Sequence, residues 1–393
     1  MTAKVPPHIL PVIVFAQFAG TALWFAGNAV IGDLKTAFDL SEQALGHLTA
    51  AVQLGFIVGT FFFALLSVAD RFSPSKVFLV SALLGGLCNW GFFAWSKSLS
   101  GLLLFRFLTG FFLAGIYPVG MKIAADWHAK GLGKALGYLV GALVLGTAFP
   151  HLLKGLSDAL PWETILAALS VIAASGGCLL YLCVPDGPFR KKSAVFEWSA
   201  IFQIFQFPQF RQAAFGYFGH MWELYAFWTF VPILLSIYQS NNGVALDVSL
   251  WSFIIIAAGT LGCILGGYAS LKWGSGKIAF IALLISGLSC LFSPLFFLLP
   301  PYLFLAFLLI WGCSVVADSP QFSTLVAQTA PPTYVGTALT IVNSIGFALT
   351  IFSIQLLNFL REMLATEWLF LFLLPGPIWG LWAIRRLFIA KAP

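Results

Sequence analysis

Charge is what this chain has least of. Only 9% of its 393 residues are Asp, Glu, Lys or Arg, against roughly 25% in a soluble domain, so the side chains needed to cover a water-facing surface are missing. A soluble enzyme is excluded. Heptad periodicity and glycine triplets are also lacking, which excludes a coiled coil and a collagen. The six cysteines, Cys88, Cys178, Cys183, Cys263, Cys290 and Cys313, form no Cys-x-x-Cys pair and have no histidine at ligand spacing. They read as small buried hydrophobes, so no disulfide frame and no metal site is predicted. No Walker sequence, dinucleotide-binding glycine pattern, zinc motif or nucleophile elbow occurs. Neither catalysis nor a cofactor is expected, and ATP has no site in the chain.

What is present is apolar and long. Apolar residues make up 60% of the chain, with 41 Phe and 14 Trp, and a helix needs about 20 such residues to cross a bilayer. Cutting at charged or Gly/Pro-rich breaks predicts an all-α membrane protein of twelve spans. Six are His8 to Gly32, Gln43 to Ala69, Lys76 to Trp95, Gly101 to Ala125, Lys134 to Leu153 and Trp162 to Val184. Six more are Gln212 to Tyr238, Ser249 to Leu271, Lys277 to Leu299, Pro301 to Leu325, Thr333 to Leu357 and Glu367 to Ile389. The first run is too long for a signal-peptide core and is taken as a span.

With both termini cytoplasmic, the inner segments hold Lys4, Arg71, Lys76, Lys122, Lys130, Lys134, Arg190, Lys191, Lys192, Arg211, Lys272, Lys277, Arg385, Arg386 and Lys391. The outer loops hold only Lys35, Lys97, Lys154 and Arg361. This bias predicts a multi-pass protein of the cell (inner) membrane oriented in that way. The net charge of +6 thus reports orientation, and no nucleic-acid partner is expected.

A linker at 185–211 separates a first bundle, 1–184, from a second, 212–393. It ends in an aromatic stretch, Phe196 to Phe207, expected to lie along the membrane surface. The halves repeat. Asp70 to Lys76 aligns with Leu271 to Lys277 at an offset of 201, Pro118 with Pro320 at 202, and Gly133, Ala135 and Leu136 with Gly336, Ala338 and Leu339 at 203. A six-helix unit repeated in the same orientation implies a pseudo-two-fold axis along the membrane normal, with the substrate path between the copies.

These features carry a resemblance. Ala69-Asp70-Arg71-Phe72-Ser73-Pro74-Ser75-Lys76 resembles the loop between helices 2 and 3 of the major facilitator superfamily, G-x-x-x-D-R-x-G-R-(R/K). Asp70, Arg71 and the basic Lys76 match, whereas Leu66 and Ser73 replace the glycines, and Pro74 and Ser75 stand where basic residues are usual. Arg106 followed by Gly110 and Gly115 is similar to the family's helix-4 pattern. Gly137, Gly141, Gly146 and Pro150 are similar to the glycine-rich helix 5 of its drug/proton antiporters, without their Gly-Pro pair. The resemblance implies the family fold, twelve helices in two six-helix bundles, with a gating role for Asp70, Arg71 and Lys76. It implies alternating access for a small molecule, with protons and the bilayer as the other partners, in a monomer.

An ionisable group deep in a span costs about 2.5–3.5 kcal/mol on insertion scales and marks a functional candidate. Glu223 lies ~16 Å along its helix from Gln212, near the midplane. His220, three residues earlier, shares its face, so the two are read as a proton-coupling pair or a structural hydrogen bond. Asp318, beside Pro320, is read as a proton or cation relay or as part of a kinked gate. Arg106 binds an anionic substrate, pairs with an acid or snorkels outward. Gln17, Thr21, Trp24 and Asn28 form one stripe. With Gln53, Tyr138, Trp222, Tyr225 and Asn343 they predict a substrate site of amides and aromatics suited to a partly apolar solute. Secondary transport follows, with proton symport in front. A proton-driven exporter of hydrophobic compounds and a transporter-like receptor that moves nothing stand as alternatives.

Overall fold

Apolar runs of the length found here satisfy every backbone group internally by forming helices, which is why a chain so poor in charge folds this way. The computed structural model describes residues 5–96, 98–128, 132–156, 160–190, 202–331 and 334–389, and within them not the side chains of 70, 132, 133 and 389. Lys4, Lys97, Lys130, Lys191, Lys192, Lys391 and residues 196–201 of the aromatic stretch lie outside the described residues, as does the side chain of Asp70. All regular structure among the described residues is helical, with eleven helices long and apolar enough to cross a membrane and one shorter apolar helix, Ile9–Thr21. The chain divides into two compact units, Met1–Phe196 and Glu197–Pro393.

The first unit contains α1 (Ile9–Thr21), α2 (Ala26–Ala29), α3 (Ile31–Phe38), α4 (Ala44–Leu65) and α5 (Val68–Arg71). It continues with α6 (Pro74–Ala94), α7 (Leu99–Leu113), α8 (Tyr117–Trp127), α9 (Leu132–Leu156) and α10 (Trp162–Cys183). The predicted first span is therefore not one helix. After Thr21 the chain tightens, Leu23 N–H donating to Gly20 O and Trp24 N–H to Thr21 O at 3.0 Å, before α2 begins. The fourth span breaks between α7 and α8, where Pro118 occupies the first turn of α8, the position in which proline is tolerated.

Glycine sets the closest contact in this unit. A Cβ on Gly55 of α4 would lie 1.9 Å from the Phe107 carbonyl oxygen, and one on Gly110 of α7 would lie 2.0 Å from that of Val52. The two backbones thus touch on both sides of the crossing, as small residues allow between membrane helices. At the α5 end of the unit, the loop departing from the family motif is tied down. Ser75 Oγ donates to the Val184 carbonyl at 2.7 Å, and Ser73 Oγ donates to Asp186 at 2.7 Å. Asp186 also accepts from Arg190 at 2.6 Å, and Arg190 donates to the Phe72 carbonyl.

The second unit contains α11 (Pro208–Asn242), α12 (Val248–Trp273), α13 (Ser275–Phe296), α14 (Pro301–Ala317), α15 (Ser319–Thr329), α16 (Val335–Leu360), α17 (Thr366–Leu369), a 3-10 turn (Phe370–Leu373) and α18 (Pro375–Ile389). Asp247 caps α12, its side chain accepting from Leu250 N–H at 2.9 Å, and Gly243 ends α11 at φ 63°, the left-handed conformation glycine adopts freely. The tenth span breaks at Asp318, two residues before Pro320, and so mirrors the break of the fourth.

Candidate functional site

In the second unit the long α11 carries His220 and Glu223 into the bundle, each 1% exposed. They share a helix face but do not pair. His220 Nδ1 lies 2.8 Å from Asp318 Oδ1, and Asp318, fully buried, sits in the break between α14 and α15. The His220 ring stands 5.8 Å from both Tyr217 and Phe322. Its Nε2 has no hydrogen-bond partner. A carboxylate against an imidazole, closed off from solvent, can hold a proton on either partner.

Glu223 points elsewhere, into a cage of donors. Trp311 Nε1–H donates to its Oε1 at 2.7 Å, Cys290 Sγ to Oε1 at 3.3 Å and Ser286 Oγ to Oε2 at 3.0 Å. Both oxygens accept from neutral donors of α13 and α14. The expected His220–Glu223 pair is replaced by two separate contacts, because each side chain finds a partner across the bundle that beats its neighbour on the helix. Trp311 is in turn stacked on Phe227 at 4.5 Å.

In the first unit Arg106 of α7 is fully buried and does not snorkel. Its guanidinium reaches the break after α1, donating to the carbonyls of Leu23, at 3.0 Å, and Trp24. These carbonyls lie in the turn just beyond the C-cap of α1, Ala22, and a cation near that end also meets the negative pole of the helix. Gln17, Thr21, Trp24 and Asn28 are all buried, but the break after Thr21 divides them: Gln17 and Thr21 lie on α1, Trp24 in the turn and Asn28 on α2, so they do not form one helical stripe. Asn28 Nδ2 donates to Thr49 at 2.9 Å, and Trp24 packs on Phe56 at 4.8 Å. Thr49, Gln53, Phe56 and Thr60 repeat the 4-3-4 spacing on α4, but it is Asn28 and Trp24 that meet that helix, while Gln17 lies against Gly120 of α8 and Thr21 against Gly146 of α9. Thr21 Oγ1 bonds back to the Gln17 carbonyl at 2.8 Å. The amides of Gln17 and Gln53 have no hydrogen-bond partner.

The other predicted residues are spread more widely. Tyr138, half-buried, lies under Lys134 Nζ at 6.0 Å. Trp222, half-buried, donates to the Phe372 carbonyl at 3.2 Å, and Tyr225 packs against Trp228 and Phe347 at 5.2 and 5.1 Å. Asn343 is half-buried, and Arg71 and Lys76 are exposed. Four residues that matter here were not singled out by the sequence: Trp311, Ser286, Cys290 and Thr60. The first three gain their meaning only from Glu223, more than sixty residues away in the chain. The 4-3-4 spacing of Thr60 with Gln53 was available as a signal. His151 is 2% exposed, and its Nε2 has no hydrogen-bond partner. Among the described residues no group of three His, Cys, Asp or Glu could hold a metal ion.

The sequence model of the Major Facilitator Superfamily matches residues 13–354. A protein of Bacillus subtilis (strain 168) named as a niacin/nicotinamide transporter, NiaP, is 28% identical over 171 residues, 40% of this chain and 39% of that one. A niacin transporter, NiaP, of Acinetobacter baylyi is 27% identical over 158 residues, 34% of this chain and 35% of the relative. The chain thus spans well under half the length of the curated relatives it matches. Among solved structures, the proton:xylose symporter XylE superposes with a TM-score of 0.74 at 13% identity, covering 98% of this chain and 96% of the other. The nucleoside transporter NupG gives 0.72 at 14%, over 97% and 100%. A bacterial homolog of the human lysosomal transporter Spinster, inward-facing and unoccupied, gives 0.68 at 15%, over 100% and 96%. At these identities the structures speak for the fold.

Proposed function

Because the chain belongs to the major facilitator superfamily, we propose that it is a secondary active transporter that moves a small organic solute by alternating access, coupled to protons in symport. The observation that carries the coupling is the buried His220–Asp318 contact, 2.8 Å long at a helix break. A titratable pair in the interior of a membrane bundle is expensive unless it is used. Glu223, with both oxygens taken by neutral donors, fixes α11 against α13 and α14. The two relatives named as niacin transporters support a small heteroaromatic solute. The positive-inside bias of the sequence supports a cell-membrane location with both termini cytoplasmic.

The test is uptake into proteoliposomes holding an imposed pH gradient, alkaline inside. Accumulation of a labelled solute that collapses with a protonophore supports the reading, as does its loss in Asp318→Asn. Equilibration without accumulation, unchanged by the gradient, would overturn the coupling. A protein that binds the solute and never moves it would overturn the transport.

A further inference from the structure

Arg106 is a buried cation without a counter-ion. It has no exposed surface, and among the described residues no carboxylate lies within salt-bridge distance of it. Other cations of the same unit are answered: Lys35 by Glu42 at 2.5 Å, Lys154 by Asp33 at 2.9 Å and Arg190 by Asp186 at 2.6 Å. The carbonyls of Leu23 and Trp24 take two of its N–H groups, and the pole of α1 offsets part of its charge. Carbonyls are dipoles, however, and they offset a full charge in a low-dielectric interior less completely than an opposite charge does. Its Nε has no partner and lies against Gly27, where a Cβ would come within 3.6 Å.

A second, independent observation lies on α4, the helix that α7 crosses. Gln53 is fully buried, and neither its amide nitrogen nor its oxygen has a partner. The glycine crossing fixes its height: Phe107, next to Arg106, abuts Gly55, and Val52, next to Gln53, abuts Gly110. Gln53 therefore lies within about one helical turn of Arg106 along the crossing, and Arg106 binds the carbonyl of Trp24, whose ring packs on Phe56, one turn from Gln53 on α4. Phe92 lies 5.9 Å from the guanidinium. A buried polar group left without partners is rare in native structures and calls for an explanation. Here the unspent groups are a cation and an amide, set among aromatic rings.

We propose that the transported solute is a small aromatic or heteroaromatic monocarboxylate. Its carboxylate supplies the counter-charge that Arg106 lacks and accepts from the Gln53 amide, while its ring lies among Trp24, Phe92 and Phe56. This deepens the transport reading and rests on it for the word transported. It also gives Arg106 two duties, holding the break after α1 and meeting the anion there.

The experiment is thermal unfolding of the purified full chain with matched probes: benzoate, benzamide and benzylamine, then nicotinate, nicotinamide and 3-(aminomethyl)pyridine. The acids are expected to raise Tm, with apparent Kd roughly tenfold or more below that of the amides, as charge-assisted hydrogen bonds imply. The amines are expected to have no effect. Arg106→Gln should abolish the preference for acid over amide. Since that variant also loosens the α1 break and can fail to fold, Gln53→Leu provides the second arm, weakening the acids and leaving the amines without effect. An amide or amine that stabilises as well as its acid overturns the proposal, and so does a panel in which no acid stabilises. An acid that binds but is never exchanged across liposomes leaves the anion site standing and removes the transport reading instead.

Discussion

His220 reaches past Glu223, its neighbour on α11, to place Nδ1 2.8 Å from the carboxylate of Asp318. One helix face therefore serves two ends. Its imidazole meets an acid at a helix break, and its acid is held by Trp311, Ser286 and Cys290. The break matters because α14 ends at Ala317 and α15 starts at Ser319. A change in the charge of Asp318 falls at the junction of the two helices.

Asp318→Asn keeps the volume and removes the charge. In proteoliposomes it is expected to abolish accumulation driven by a pH gradient while leaving solute counterflow within a few-fold of the unchanged protein, a split that a merely structural role would not produce. His220→Gln should behave in the same direction. Glu223→Gln, by contrast, is expected to lower thermal stability before it alters the response to pH. Proton-driven accumulation that persists in Asp318→Asn removes the pair from the coupling.

The contact between α4 and α7 makes a second prediction. Gly110→Val would set a Cβ 2.0 Å from the Val52 carbonyl oxygen, backbone that cannot swing aside as a side chain can. Overpacking of this kind costs about 1–3 kcal/mol or more, and the expected result is a sharp fall in folded yield and Tm in detergent. Gly32→Ala is the control, since a Cβ there meets nothing within 4 Å.

The all-helical membrane fold and the interruption beside Pro320 can be read from the chain because they follow from local hydropathy and from proline's missing N–H. The break after Thr21 cannot. Residues 22–25 read Ala-Leu-Trp-Phe, with neither proline nor glycine, and the turn is held by Arg106 from more than eighty residues away. The same holds for the site. Spacing correctly places His220 and Glu223 on one face, but which groups they meet is decided by α13 and α14, through contacts no local pattern records. The expected stripe from Gln17 to Asn28 assumes one continuous helix, and it is divided by the break after Thr21, while the Asn28–Thr49 bond comes from a helix the local pattern does not reach.

Ser75 occupies a position where the family motif has a basic residue, and the structure gives it a different task. It is 3% exposed and donates to the Val184 carbonyl at the end of α10. Ser75→Ala is expected to cost about 1 kcal/mol or somewhat more, since it strands a carbonyl. Ser75→Lys, restoring the usual residue type, should cost more, because the side chain would enter a buried position. Thermal unfolding of the two variants measures both. A stabilised Ser75→Lys would show that the loop is not tied to α10 in this way.

Trp311 offers the cleanest dissection of the donor cage. Trp311→Phe keeps an aromatic ring beside Phe227, which stacks on the indole at 4.5 Å and 27°, and removes the Nε1–H that Glu223 accepts at 2.7 Å together with part of the buried ring. A hydrogen bond to a charged group contributes about 1.5–3 kcal/mol, so Trp311→Phe should lower stability by that order. Glu223→Gln removes the charge and leaves an amide oxygen able to accept. If the tryptophan's contribution depends on the carboxylate, the double variant will lose less than the sum of the two single changes, with a coupling of at least about 0.5 kcal/mol, as for residues in direct contact. Strict additivity would mean that the indole N–H and the carboxylate do not interact in the folded protein. Glu223 would then be held chiefly by Ser286 and Cys290, and Ser286→Ala would become the more damaging change.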